Sequence, residues 1–101
     1  MKFKDVISES SIMTDIMQLS DEEQAEIIAQ YEAIRKDGQF NMMNFLSVQR
    51  AAFENGYYAL VNFVQNSRRA YVSILKNYGK LIKKVGKLPV YRKLKVTYGL
   101  E

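Results

Sequence analysis

The spacing of apolar residues predicts helices over most of the chain, and the clearest of them begins at Ser20. Ser20 and Glu23 form the Ser–x–x–Glu pattern of a capping box, and the acidic first turn complements the helix dipole. Apolar residues then recur at steps of three and four from Ala25 to Ile34, as on one face of a helix. Gly38 is placed to form a left-handed C-cap. This pattern predicts an acidic helical element over 20–38.

A second and longer apolar pattern follows, with Asn41 or Asn44 as the expected N-cap. From Phe53 to Val85, apolar and small residues alternate at steps of four and three. Such a heptad-like seam favours the pairing of one long helix with another. We therefore predict a long helix over 44–85.

The dipeptide Asn55-Gly56 is the obvious place for a break in this long helix. The apolar seam nevertheless passes through Gly56 without a change of phase, whereas a turn normally resets the phase. We therefore predict a continuous helix in which Gly56 allows a neighbouring backbone to approach closely. A helix–turn–helix split at Gly56 is the alternative.

The last part of the chain, 87–101, carries a different period. Leu94, Val96 and Tyr98 alternate with polar residues, and a period of two is typical of a strand. This pattern predicts a short extended or β tail. A lone strand needs a partner, which the same tail of another subunit would provide.

The remaining segment, 1–19, predicts an N-terminal arm with one short helix around 11–18. Together these elements predict an all-α fold in a single domain, 1–101. Its architecture is a small helical bundle with a long basic C-terminal helix and a short extended or β tail.

The composition narrows the classes of function. A domain of 101 residues has a thin core, and its 48% hydrophobic residues leave apolar surface for self-association, so we expect a homo-oligomer. The chain has no cysteine and no histidine, which removes the commonest catalytic bases, nucleophiles and transition-metal ligands. We therefore expect neither an enzyme nor a bound cofactor or metal. No apolar run approaches the roughly 20 residues of a membrane span, so we expect a cytoplasmic protein.

Charge is divided unevenly along the chain. Residues 1–40 hold nine acids and four bases, a net charge of −5, whereas 41–67 hold one of each. Residues 68–101 hold ten bases and one acid, a net charge of +9. This asymmetry favours an anionic partner or the pairing of two chains through opposite charges. A solvated basic face that only keeps the protein soluble is the third interpretation.

The basic segment also contains tyrosines, a combination found where phosphates are neutralised and bases are stacked. Tyr71 and Tyr78 lie in the apolar seam and are expected in the core, whereas Tyr91 and Tyr98 are freer. A basic amphipathic helix on a membrane surface is an alternative, although no Trp and no lipidation motif supports it. The residues predicted for a nucleic-acid surface are Lys80, Lys83, Lys84, Arg92, Lys93 and Lys95.

The segment from Gly38 to Tyr71, with GQFNMMNFLSVQRAAFENGYYALVNFV, resembles an uncharacterised small phage domain. The pattern of that domain is approximately G-x-x-NMF…VQ-IA…GFYELV-FI. The resemblance covers about a third of the chain and implies no function.

A looser resemblance is to the phage cyclic-nucleotide sponges of the anti-CBASS type. It rests on a Leu-Ser-x-Glu-Glu helix start and on an Arg followed six residues later by Gly-aromatic-x-Ala-Leu-Val. The matching residues are Leu19, Ser20, Glu22 and Glu23, then Arg50, Gly56, Tyr57, Ala59, Leu60 and Val61. This chain differs in having Ala51 where a hydroxyl residue is usual and Asn62 where a base is usual. The resemblance implies a helical oligomer that holds nucleotide signals between subunits, with Arg50 and Tyr57 near the pocket.

The first hypothesis is therefore a phage-type anti-defence protein that sequesters a small nucleotide immune signal without catalysis. Its predicted ligand-binding residues are Arg50, Tyr57, Tyr58, Arg68, Arg69 and Lys76. The second is a phage protein that binds nucleic acid or blocks a nucleoprotein, in the manner of anti-CRISPR proteins, through its basic C-terminal half. The third is a structural or partner-binding helical module whose basic half meets the acidic helix of another copy.

Overall fold

A computed structural model describes residues 15–37, 41–65 and 67–100 of the chain. A 3-10 turn, Ile16–Gln18, precedes five α-helices: α1 Asp21–Asp37, α2 Phe45–Glu54, α3 Tyr58–Val64, α4 Arg68–Val85 and α5 Pro89–Thr97. The described part of the chain contains no strand. The prediction of an all-α small helical bundle is therefore confirmed.

Helix α1 is the centre of the bundle, since each of the other four helices packs against it. Its buried residues point in nearly every direction around the helix axis. They are Gln24, Ala25, Ile27, Ile28, Ala29, Gln30, Tyr31 and Ile34. An acidic helix can occupy the centre of the bundle because three of its six carboxylates lie in the exposed first turn and none of the other three is fully buried.

The predicted capping box at the start of α1 is confirmed. The Glu23 backbone amide donates to the Ser20 hydroxyl at 3.2 Å, and the Ser20 amide donates to the Glu23 carboxylate at 3.1 Å. These bonds satisfy amides that have no partner within the helix. The predicted C-cap at Gly38 lies outside the described residues, as does the arm before Asp15.

The predicted continuous helix over 44–85 is wrong, because the chain breaks it into α2, α3 and α4. The first break is at Gly56, whose φ of +75° ends α2. The Gly56 amide donates to the Phe53 carbonyl at 3.1 Å, and the Tyr57 amide donates to the Ala52 carbonyl at 2.8 Å. These two bonds form a Schellman motif. A Cβ on Gly56 would meet nothing within 4 Å, so close backbone approach is not the reason for this glycine.

The second break separates α3 from α4 and was not predicted at all. Gln65 adopts a φ of +37° and caps the C-terminal end of α3. Ser67 then caps α4, because its hydroxyl accepts from the Ala70 amide at 3.1 Å. Helix α4 therefore begins at Arg68.

The predicted extended or β tail is also wrong, because residues Pro89–Thr97 form α5. Pro89 occupies the first turn of the helix, where its missing amide costs no hydrogen bond. Gly99, with a φ of +69°, ends the helix in a second Schellman motif, and the Leu100 amide donates to Lys95 at 2.7 Å. The tail consequently packs on α1 of its own chain and needs no strand partner.

Buried polar side chains connect the helices and the 3-10 turn to one another. The Gln30 side chain accepts from the Leu60 amide at 2.8 Å and donates to the Tyr98 hydroxyl at 2.9 Å. The Ser73 hydroxyl of α4 accepts from the Ile16 amide at 3.1 Å. Because Gln30 and Ser73 lie deep in the core, these bonds specify how the helices are joined.

Helices α1 and α4 run in opposite directions. Lys84, near the end of α4, forms an ion pair of 3.2 Å with Asp21 at the start of α1. Tyr71, near the start of α4, lies with its ring centroid 6.2 Å from that of Tyr31 in α1. This arrangement turns one face of α4 into the core and leaves the opposite face to solvent.

Candidate functional site

The outer face of α4 is strongly basic. The core face of the helix carries Ala70, Tyr71, Ile74, Leu81 and Val85. The residues exposed on the other side include every base of the helix and no acid: Arg68, Arg69, Lys76, Lys80, Lys83 and Lys84. The sequence contains no carboxylate side chain between Glu54 and Glu101, so no acid from this half of the chain interrupts the surface.

Four of these bases share one line along the helix, which we call the basic stripe: Arg69, Lys76, Lys80 and Lys83. Their steps of seven, four and three residues keep them on one face of a helix with 3.6 residues per turn. At a rise of 1.5 Å per residue, the stripe is about 21 Å long. No carboxylate pairs with any of the four within the described part of the chain.

Lys84 is distinct from the stripe, because Asp21 already neutralises it. Arg35 is also occupied: it lies 5.2 Å from the Tyr78 ring centroid, and its guanidinium donates to the Tyr78 hydroxyl at 2.9 Å. Tyr71 and Tyr78 pack against the core, as expected, and so offer no ring to a base at the stripe.

Helix α5 carries a second basic feature, which we call the basic groove. It is an open depression of about 330 Å³ lined by Lys87, Pro89, Arg92, Lys93 and Val96. Tyr91, Leu94 and Tyr98 pack against the bundle from the opposite side of this segment. The cationic side chains of the groove are therefore left facing solvent. Three cations thus surround a small apolar floor.

Of the residues that line the groove, Arg92 and Lys93 were predicted from the sequence as binding residues, whereas Lys87 and Pro89 were not. The signal available was Pro89 itself, which favours the first turn of a helix and would have placed Arg92 and Lys93 on one outer face. Lys95 was predicted in the same set, but it lies half-buried with its ammonium 5.9 Å from the Tyr91 ring centroid.

The residues predicted for a nucleotide pocket are spread over three helices. Arg50 is exposed on the outer face of α2, and Tyr58 is exposed at the start of α3. Arg68, Arg69 and Lys76 belong to α4, and no contact joins them to Arg50 among the described residues.

The neighbouring Tyr57 has a packing role. Its ring is half-buried and lies edge-on to Tyr98, with 5.3 Å between the ring centroids. Tyr98 is in turn hydrogen-bonded to Gln30 of α1. Tyr57 therefore stabilises the contact between the start of α3 and the end of α5 within the chain.

The groups with clearly displaced pKa values lie on the core side of the molecule. Burial raises the pKa of Tyr71, and Tyr31 beside it adds to this effect. Burial also raises the pKa of Tyr91 and of Glu32. These shifts come from desolvation in the bundle and mark no acid–base site at the basic stripe.

The described residues contain no cluster of acidic side chains suited to a metal ion. None of their helices has the length and apolar character needed to cross a membrane. The arrangement thus provides cationic surfaces that can bind phosphate groups.

A family model described as a domain of unknown function, DUF5049, matches residues 23–75. The match extends from the first turn of α1 into α4 and includes the whole Gly38–Tyr71 segment, which fits the resemblance to an uncharacterised small domain. No curated protein and no solved structure shows significant similarity to the chain. Because the matched segment is more than half of the chain, the protein belongs to the DUF5049 family.

Proposed function

We propose that the protein is a non-catalytic binding protein that holds nucleic acid against the basic stripe of α4. The observation that carries this proposal is the unpaired, collinear set Arg69, Lys76, Lys80 and Lys83 on a helix that contains no acidic residue. Side chains in this arrangement can neutralise successive phosphates, and the release of counterions then drives binding.

The stripe favours the backbone of a duplex over single-stranded bases. Proteins that bind single strands stack bases on exposed aromatic rings. The two tyrosines of α4, Tyr71 and Tyr78, pack towards α1 instead. Binding through the stripe would therefore depend strongly on salt and weakly on base sequence.

The test is duplex DNA and duplex RNA binding, followed by fluorescence anisotropy across a salt series. Four phosphate contacts predict a slope of log K against log salt of about −4. The triple variant Lys76→Gln, Lys80→Gln, Lys83→Gln should lower affinity about tenfold or more and bring the slope near −1. Because all three side chains are exposed, thermal stability should not change.

Arg50→Gln is the matched control, since it removes one exposed cation from α2 instead of α4. It should leave duplex binding unchanged. Absence of duplex binding at about 50 mM salt, or equal binding by the triple variant, would reject the proposal.

A small nucleotide signal is the second candidate ligand, and the basic groove is the observation that favours it. Its volume of about 330 Å³ lies at the lower end of small-molecule sites, and its lining joins cations to an apolar floor. Such a site suits a phosphorylated ligand held by Lys87, Arg92 and Lys93. In the phage setting that the resemblance implies, sequestration of the nucleotide would protect the phage from host defence.

The second test is thermal stability across cyclic di- and trinucleotides, ADP-ribose derivatives and short oligonucleotides. Stabilisation by one small nucleotide that is lost in Arg92→Gln, Lys93→Gln would support the groove. Loss of that stabilisation in Arg50→Ala, with the fold intact, would instead support a pocket that includes Arg50. An equal melting temperature with every small nucleotide would reject this second candidate.

A further inference from the structure

The outer side of α2 exposes large apolar side chains beside its two charged ones, where a surface helix of a small protein is normally polar throughout. Met43, Leu46 and Phe53 are 71%, 61% and 61% exposed, and Tyr58 is 55% exposed. Leu46 and Phe53 are seven residues apart and so lie on one side of the helix. Tyr58 extends the surface, because its ring packs edge-on to Phe53 with 6.2 Å between the centroids.

We infer that this apolar face, formed by Met43, Leu46, Phe53 and Tyr58, binds the same face of a second copy of the chain. The four side chains expose on the order of 500 Å², which is near the upper end for the largest apolar patch of a monomer. Two copies would thus bury about 1,000 Å² from these residues alone, and their rims bring the total within the range of stable dimers.

The charges of α2 identify a second copy as the occupant. Arg50 and Glu54 are the only charged residues of α2, and both are exposed on its outer side. They have opposite signs, and no ion pair joins them or links them to other described residues. A neutral face of this kind can meet its own copy without repulsion, whereas the basic stripe would repel its copy.

A two-fold axis near the middle of α2 would pair both the apolar and the charged residues of this face with those of a second copy. It would place Leu46 of one copy against Phe53 of the other, because the two residues are equally far from the middle of the helix. Arg50 of each copy would then lie within side-chain reach of Glu54 of the other. The Phe53–Tyr58 ring contact already orders two anchor residues in the single chain, which reduces the entropy lost on association.

Sedimentation equilibrium from about 1 to 100 μM is the test. We expect twice the chain mass of 11.7 kDa for the unaltered protein. Leu46→Asp and Phe53→Asp should each raise the dissociation constant about 30-fold or more, as for an interface anchor. Val96→Asp is the matched control, since Val96 is a 67% exposed apolar residue on α5, and its mass should not change.

Two further measurements distinguish apolar pairing from pairing of the acidic and basic halves. Apolar pairing should persist at high salt, whereas a dimer that dissociates in salt would overturn the inference. Arg50→Glu and Glu54→Arg should each weaken the dimer about tenfold, and the double variant should restore it.

Several outcomes would reject the inference. They are a chain mass of 11.7 kDa at all concentrations, an unchanged dimer in both Asp variants, or no recovery in the charge-exchanged double variant. Circular dichroism of each variant separates loss of association from loss of fold. Because the basic stripe lies on another helix, duplex binding in the triple Lys→Gln variant can fail without affecting this result.

Discussion

Helices α1 and α4 have 17 and 18 residues, respectively, yet the fold uses them in opposite ways. The other helices surround α1, which buries side chains on nearly all its sides, whereas α4 buries one face and presents a row of cations on the other. The acidic helix is thus the structural centre and the basic helix is the outer surface. Substitutions in α1 should therefore change stability, and those on the outer face of α4 should change binding.

The largest stability difference is expected between Ile28 of α1 and Val72 of α4. Ile28→Ala removes a fully buried side chain and leaves a cavity, so the free energy of unfolding should fall by about 2–5 kcal/mol. Val72→Ala affects a side chain that is 45% exposed, and the change should stay below about 0.5 kcal/mol. Urea unfolding measures both.

Equal losses in the two variants would contradict the assignment of α1 to the core and the outer face of α4 to solvent. Duplex binding, measured on the folded fraction, should be unchanged in Ile28→Ala. A binding defect in that variant would show that α1 contributes directly to the ligand surface.

The next largest loss of stability is expected at Gln30, because its side chain connects α1 to both α3 and α5. Gln30→Leu should destabilise the protein by about 1–3 kcal/mol, since it leaves the buried Leu60 amide without its acceptor. Tyr98→Phe removes only the bond to the Gln30 side chain and should cost about 1 kcal/mol. Urea unfolding of the two variants checks the order, and an equal or larger loss in Tyr98→Phe would contradict it.

Helix α1 could be predicted from the sequence because its signals are local and agree with one another. The capping box, the acidic first turn and the apolar spacing all lie within the helix itself. The helix spans Asp21–Asp37, as the pattern predicted. What the pattern did not reveal is that α1 would be surrounded, because burial depends on where the other helices pack.

The long helix was mispredicted because apolar spacing was given more weight than local breaks. Gly56 carried a break signal that the structure bears out, and Ser67, one of the small residues in the predicted seam, is an N-cap residue. Gln65 in a left-handed conformation carries no such signal, because this conformation is unfavourable for residues other than glycine. Three separate helices can keep the same apolar period when each packs on the same core.

The tail was mispredicted because Leu94, Val96 and Tyr98 fit a period of two. In α5 the inward residues are Tyr91, Leu94 and Tyr98, at helical steps of three and four, and Val96 is exposed. The exposure of the bases followed from their charge alone, so most residues of the stripe and the groove were named in advance. Their grouping into two surfaces was not, since it depends on the helix bounds.

A smaller difference in stability is expected at the Lys84–Asp21 ion pair, the only one that joins α1 to α4 within the described residues. Lys84→Ala should lower the free energy of unfolding by about 0.2–1 kcal/mol, because it removes a partly exposed pair with Asp21. Lys76→Ala, an unpaired base on the same helix, should leave stability unchanged and reduce the salt slope of duplex binding by about 1. Chemical unfolding at low and high salt measures the first effect, and an equal loss in both variants would contradict it.

The smallest effect on stability is expected from Glu32 of α1, a carboxyl that the bundle partly buries. Burial raises its pKa, while Arg35, with 3.8 Å between the charged atoms, opposes the shift. A carboxyl whose pKa is raised on folding stabilises the fold below its ordinary pKa of 4.5, and this contribution is lost as the pH rises through the folded value. Glu32→Gln should therefore gain stability relative to the unaltered protein between about pH 4 and pH 7, by less than about 1 kcal/mol. Glu22→Gln makes the same change in net charge in the exposed first turn of the helix, where the loss of an acid should lower stability instead, so it separates the effect of burial from that of net charge. A Glu32→Gln variant that is less stable at pH 7 would mean that attraction by Arg35 outweighs burial, so that even this side of α1 behaves as surface.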